Sequence, residues 1–204
     1  AGEVLGFVGE SGAGKSLTGA AVMGLLEPPG RITAGRISLE GRAIEGDASA
    51  VRGREIGMIF QDPLTSLNPL RTVGDQLVET IQLHLGLSGD AATARAADLL
   101  QEVGIDPARS GAYPHEFSGG MRQRIVIALA LAPEPKLIIA DEPTTALDVS
   151  IQAQVLALLR RLCKERGAAV ILITHDMGVI AETTDRVAVL YAGRMVETGP
   201  TADV

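Results

Sequence analysis

Val4-Leu5-Gly6-Phe7-Val8-Gly9-Glu10-Ser11-Gly12-Ala13-Gly14-Lys15-Ser16 is the stretch that decides the fold of this 204-residue chain. An apolar run over 4–8 has the composition of a buried strand, and a glycine-rich turn carries it into a helical pattern over 15–26. A strand that passes through a tight turn into a helix is the building unit of an α/β domain. The unit recurs twice. Leu137-Ile138-Ile139-Ala140 comes ahead of a helical stretch over 151–166, and Val170-Ile171-Leu172-Ile173 leads through Thr174 into another. These runs lack polar alternation, as strands do in a parallel sheet covered on both faces. The helix over 151–166 sets Ile151, Val155, Leu158, Leu159 and Leu162 on one stripe and keeps Arg160, Arg161, Lys164 and Glu165 mostly off it, the pattern of a helix packed on a sheet.

Between the first and second units, over 62–132, helical patterns dominate and no strand is expected. The segment reads as an inserted helical subdomain, opened by the turn formers Asp62-Pro63-Leu64-Thr65-Ser66-Leu67-Asn68-Pro69. Ahead of it, 36–40 and 56–60 read as short strands of a small antiparallel section.

Bulk composition agrees with one globular core, since 46% of residues are hydrophobic. The longest unbroken apolar run, from Ile125 to Ala132, falls far short of the roughly 18 residues a membrane-spanning helix needs. The start, Ala1-Gly2-Glu3, has none of the basic and apolar sections of a secretory signal. The one cysteine, Cys163, admits no internal disulfide and is compatible with a reducing compartment. A formal net charge of -7 argues against nucleic acid as a partner, because a phosphate backbone is repelled by it.

The stretch Gly9-Glu10-Ser11-Gly12-Ala13-Gly14-Lys15-Ser16 matches the phosphate-binding-loop pattern in the context its mechanism requires, after a strand and opening a helix. Glycines let the backbone curl so that successive N–H groups face phosphate oxygens, and the helix N-terminus adds favourable potential for negative charge. Lys15 is placed to neutralise β- and γ-phosphates, and the Ser16 hydroxyl to hold a magnesium ion bridging them. The fold class expected is therefore α/β, a P-loop NTPase core with a mostly parallel sheet. The second strand ends in Asp141-Glu142. Asp141 suits a magnesium ligand, and Glu142, one residue on, suits the general base that directs water at a γ-phosphate. His175 follows the third strand, and open α/β sheets bind ligands at that carboxyl edge. Gln61 closes the run over 56–60, where its amide suits contact with magnesium or the attacking water.

Phe117-Ser118-Gly119-Gly120-Met121-Arg122-Gln123-Arg124 resembles the signature motif of ABC ATPases, and Asp141-Glu142-Pro143-Thr144-Thr145-Ala146-Leu147-Asp148 looks like the Walker B motif and D-loop of that family. With the phosphate loop, Gln61 and His175, five motifs stand in the family's order and the resemblance covers essentially the whole chain. It implies that Ser118, Gly119 and Gly120 face an ATP bound to a second ABC ATPase subunit, with two ATPs sandwiched in a head-to-tail dimer and Asp148 in the D-loop. It further implies ATP and Mg2+ as cofactors, two transmembrane permease subunits as partners, and residence on the cytoplasmic face of a bacterial inner membrane. Locally, Ser118 with its two glycines is also a plain helix N-cap followed by a turn.

Finer features are similar to peptide and nickel importers: Asn68-Pro69-Leu70-Arg71-Thr72-Val73-Gly74, Tyr113-Pro114-His115-Glu116, Met121, and Asp148-Val149-Ser150-Ile151-Gln152-Ala153-Gln154. An importer of that kind receives its solute indirectly from an extracytoplasmic solute-binding protein. The chain departs from the family in beginning almost at the phosphate-loop strand, without the strands that carry an adenine-stacking aromatic, and in ending early at Thr201-Ala202-Asp203-Val204. Truncation at both ends is the expectation. Two other readings are a soluble ABC ATPase of DNA repair or translation, which long coiled coils would favour, and a P-loop kinase, against which the signature stretch and His175 count.

Overall fold

The computed structural model describes residues 2–44, 48–145 and 147–204; Ala1 and the Ala146 of the D-loop-like stretch lie outside the described residues. Strand β1 (Val4–Gly9) enters the glycine loop and helix α1 (Lys15–Val22) leaves it. A two-stranded piece follows, β2 (Ser38–Leu39) with β3 (Arg42–Ala43), then the short α2 (Ala48–Val51) and β4 (Ile56–Ile59). Helices α3 (Pro63–Ser66), α4 (Val73–Leu85), α5 (Gly89–Glu102) and α6 (Gly119–Leu131) come next. The chain closes with β5 (Leu137–Asp141), α7 (Val149–Glu165), β6 (Ala169–Ile173), α8 (Met177–Thr183), β7 (Arg186–Tyr191) and β8 (Arg194–Pro200).

The main sheet runs β4-β5-β6-β1-β7-β8. Every pairing is parallel except β7 with β8, which is antiparallel. Alternate residues of each strand serve opposite faces. On one face Val4, Ile59, Ile138, Ala140, Val170 and Leu172 meet the apolar sides of α6 and α7. On the other, Phe7, Ile56, Ile139, Ile173, Ala188 and Leu190 pack with Ala13, Met23, Ile44 and Val51. The core on the first face continues without a break into the helices, through Val73, Leu77, Ile81, Leu99, Leu100 and Ile125. Gly57 makes the junction close: a Cβ there would lie 2.7 Å from the Ala130 carbonyl oxygen of α6.

Three sequence expectations are corrected. The strand over 56–60 is not part of an antiparallel section; β4 pairs in parallel with β5, Ile56 against Leu137 through Ile59 against Ala140. Ile56 and Ile59 are fully buried with opposite faces of the sheet to serve, which is the reason the run is unbrokenly apolar. The strand over 36–40 shortens to β2, and its antiparallel partner is β3, across a turn in which Glu40 and Gly41 have φ of 50° and 79°. Two consecutive positive φ values make the tight hairpin turn whose twist matches paired strands. Helix α1 stops at Val22 rather than near residue 26, because Gly24 takes φ 63° and closes a Schellman motif, its N–H donating to Ala21 O at 3.1 Å and that of Leu25 to Ala20 O at 2.8 Å. The β7–β8 hairpin was not anticipated; its turn again pairs positive φ values, at Ala192 and Gly193.

None of the helices among the described residues is long and apolar enough to cross a membrane.

Candidate phosphate-binding and hydrolytic site

The parallel sheet brings the carboxyl ends of β1, β4, β5 and β6 to one edge, and the side chains that follow them converge there. Gly9 has φ 154°, and a Cβ on it would sit 2.2 Å from the Leu190 carbonyl oxygen of neighbouring β7. Only glycine fits between β1 and β7 at this point. Gly12 and Gly14 adopt φ of 81° and 99°, which turns the loop back into the start of α1. The Ala13 N–H donates to Glu10 O at 3.1 Å, and the Gly193 N–H of the β7–β8 turn donates to Ala13 O at 3.2 Å. Lys15 is buried, and its Nζ donates to Gly9 O at 2.7 Å and Glu10 O at 2.9 Å, so the ammonium lies inside the loop's own ring of carbonyls.

Ser16 and Asp141 meet at the floor. The Ser16 hydroxyl donates to Asp141 Oδ1 at 3.0 Å, bridging α1 and the end of β5. Burial pushes the Asp141 carboxyl above its ordinary range and neighbouring Glu142 adds to this, while the Ser16 hydrogen bond and the Lys15 charge pull it the other way.

Glu142 leaves β5 with φ 46°, a left-handed conformation that costs a non-glycine residue roughly 1–2 kcal/mol. Its N–H donates to Ile173 O at 2.9 Å, which extends the β5–β6 ladder by one bond and holds the turn. The turned-out carboxylate receives three partners. Oε1 faces His175 Nδ1 at 3.0 Å; Oε2 accepts from Gln61 Nε2 at 3.3 Å and from the Thr145 hydroxyl at 2.9 Å. Burial alone would raise this carboxyl, but the His175 and Thr145 hydrogen bonds and the electrostatic pull of His175 and Lys15 outweigh it, so the group sits below its ordinary value. Two adjacent carboxylates thus divide, Asp141 upward and Glu142 downward.

Of these groups Lys15, Ser16, Gln61, Glu142 and His175 line one open cleft of about 520 Å³, whose wall is completed by Ser11, Gly12, Gly14 and Leu17. The sequence assigned Gly9 through Ser16, Gln61, Asp141, Glu142 and His175 to one centre, and the structure brings them together. The signature residues stand elsewhere. Ser118 is an exposed N-cap of α6, accepting from Met121 N at 3.4 Å, and Gly119 and Gly120 begin the helix against α7. Neither they nor Asp148, the exposed N-cap residue of α7, line the cleft.

Two features escaped the sequence reading. Thr145 was quoted within a motif but given no role, although a hydroxyl three residues beyond a turned-out carboxylate is a local signal that could have found it. The bond from the Gly193 amide to Ala13 carries no such signal, since 180 residues separate its ends.

A glycine loop at the mouth of a parallel sheet, an ammonium within it, a hydroxyl–carboxylate pair on its floor and a second carboxylate facing it define an α/β domain of the P-loop class. Residues 1–145 match the family model described as ABC transporter, and the chain belongs to that family. It is 55% identical over 210 residues to the oligopeptide transport ATP-binding protein OppD of Bacillus subtilis strain 168, an alignment covering 100% of this chain and 59% of that protein. Against the dipeptide transport ATP-binding protein DppD of Escherichia coli K12 the identity is 52%, over 97% of this chain and 62% of the other. The chain therefore spans about six-tenths of the length of these relatives. Among solved structures, the ATP-binding cassette MJ0796, a dimer in a post-hydrolysis state bound to ADP and Pi, superposes with a TM-score of 0.82 at 29% identity, covering 98% of this chain and 86% of that one. The protein cbiO1 of Clostridium perfringens, part of the ABC transporter complex cbiONQ, superposes with a TM-score of 0.87 at 30% identity, covering 99% and 78%.

Proposed function

We propose that this chain is the ATP-binding and ATP-hydrolysing part of a transporter that imports peptides or a similar small solute. The observation that carries the reading is Glu142, held ionised in a left-handed turn by Gln61, Thr145 and His175 at the wall of the cleft that Lys15 and the glycine loop also line. A carboxylate that keeps its charge beside a phosphate cradle is suited to accept a proton from water in line with a terminal phosphorus.

The loop N–H groups and the Lys15 ammonium bind the triphosphate, Lys15 exchanging its loop carbonyls for β- and γ-oxygens. His175 steadies Glu142 through Oε1 and reaches toward the γ-phosphate. Gln61 joins the helical segment over 62–132, proposed as an inserted subdomain of a single ABC ATPase domain, to the reacting end of the cleft. The donor set on the floor fits magnesium: the Ser16 hydroxyl and the Asp141 carboxylate are hard oxygens 3.0 Å apart, with the Gln61 amide as a further oxygen. The ion would neutralise charge on the β- and γ-oxygens.

Ser118, Gly119 and Gly120, which do not line this cleft, have their place in the reading against a nucleotide on a second ABC ATPase subunit, with Asp148 in the D-loop. Two permease subunits, an extracytoplasmic solute-binding protein and a seat on the cytoplasmic face of a bacterial inner membrane complete it. Peptide as the solute is supported by the names of the relatives.

Replacing Glu142 with Gln is the direct test. Phosphate release should fall at least about 100-fold, the scale of a lost general base, while ATP affinity in a binding titration changes little. Near-normal phosphate release from Glu142→Gln would remove Glu142 from this role.

A further inference from the structure

We infer that Thr145 is a positioning residue for hydrolysis: its hydroxyl fixes the orientation of the Glu142 carboxylate from within the same turn, independently of Gln61. The inference rests on the reading of Glu142 as the base.

Of the three groups that grip Glu142, two arrive from far along the chain. Gln61 comes from the loop beyond β4 and His175 from the loop beyond β6, 81 and 33 residues away. Both line the cleft and so have a second task at the nucleotide. A Gln61 amide shared with a metal ion, or a His175 ring shared with a phosphate, has its position set in part by the nucleotide. Thr145 does not line the cleft, and its bonds among the described residues go to Glu142. Its Oγ1 lies 2.9 Å from Oε2 and 3.3 Å from the main-chain oxygen of Glu142, and its N–H donates to that same oxygen at 3.3 Å. Side chain and backbone of one residue are thereby both tied to Glu142. The Oε2 bond closes a small ring across the turn 142–145, so carboxylate orientation follows turn geometry.

A carboxylate has two oxygens and one rotatable plane. With Oε2 held by Thr145, Oε1 is the oxygen whose direction His175 and an attacking water share. A hydroxyl donating to a carboxylate is a charge-assisted bond, among the stronger hydrogen bonds. The methyl group of valine would occupy the place of Oγ1 without donating, leaving the carboxylate free to rotate.

Thr145→Val and Thr145→Ser, each in the intact transporter, test this, with Glu142→Gln assayed alongside. Thr145→Val should lower kcat for ATP hydrolysis by about 10-fold or more, the equivalent of one hydrogen bond to a charged group, while KM and ATP affinity shift by less than about 2-fold. Thr145→Ser, which keeps the donor, should recover most of the rate. An unchanged kcat in Thr145→Val would overturn the inference, as would a parallel loss of rate, ATP affinity and thermal stability that Thr145→Ser fails to restore. Should Glu142→Gln itself keep near-normal turnover, the reading of Glu142 fails, whatever Thr145→Val does. A silent Thr145→Val beside a dead Glu142→Gln discards only the role of Thr145.

Discussion

At the scale of single residues, the cleft is lined by charges of both signs, the Lys15 ammonium and the Glu142 carboxylate. The Lys15 ammonium is buried, and among the described residues it is held by the main-chain oxygens of Gly9 and Glu10, with no carboxylate in a direct bond to it. A buried charge satisfied by neutral carbonyls is primed for an anion, since exchanging dipoles for phosphate charge gains more in a partly dehydrated loop than in water. Lys15→Ala should therefore weaken ATP binding by at least about tenfold in a titration, the loss of charge-assisted bonds to phosphate, where Glu142→Gln leaves it almost intact. Equal affinities for Lys15→Ala and the parent chain would take the loop out of phosphate binding. Opposite pKa displacements at Asp141 and Glu142 have one origin in placement: the first stays at the strand end under burial, and the second is turned out toward hydrogen-bond donors.

At the scale of elements, close approaches of backbone decide where functional loops lie. Gly57 lets α6 lie against β4, with the Ala130 carbonyl oxygen 2.7 Å and Ile138 Cδ1 also 2.7 Å from where a Cβ would stand. Gly57→Ala should cost about 1–3 kcal/mol in urea unfolding, because a main-chain oxygen is not free to move aside as a side-chain tip is. Gly111→Ala, where a Cβ would meet nothing within 4 Å, should stay within about 0.5 kcal/mol of the parent. Equal midpoints for the two variants would show that the β4–α6 contact is looser than described. Much of this scale was legible in the sequence. The three strand-and-helix units stand within a residue or two of expectation, apart from the glycine-ended α1. The misassigned piece was β4. A four-residue apolar run has the same composition in a parallel or an antiparallel neighbourhood, and only its partner, β5, distinguishes them.

At the scale of the molecule, the sheet and the helices proposed as an inserted subdomain share one core on the α6 and α7 face. Ile125 of α6 is fully buried in that core, which also holds Leu77 and Leu99 of the insertion and Ile138 and Leu172 of the sheet. Ile125→Ala should destabilise by about 2–5 kcal/mol, and helical and sheet probes should lose structure in one transition. Two separated transitions, with only the helical signal displaced, would mean that the insertion is cored independently. The exposed Ser118 belongs to this scale too, for its proposed ligand sits on another subunit.

What the amino-acid sequence by itself determined was local: strand, glycine loop and helix in order, an acidic pair at a strand end, a serine N-cap at the signature. Propensity, periodicity and the i-to-i+4 reach of the backbone write such features within a few residues of one another. Tertiary structure alone decided that Gln61 and His175 both grip Glu142, that Gly193 braces Ala13, and that β4 joins the parallel sheet. Those facts depend on the strand order β4-β5-β6-β1-β7-β8, which sets residues far apart in the chain on adjacent strand ends, and that order is chosen by the burial of both sheet faces together rather than by any one segment.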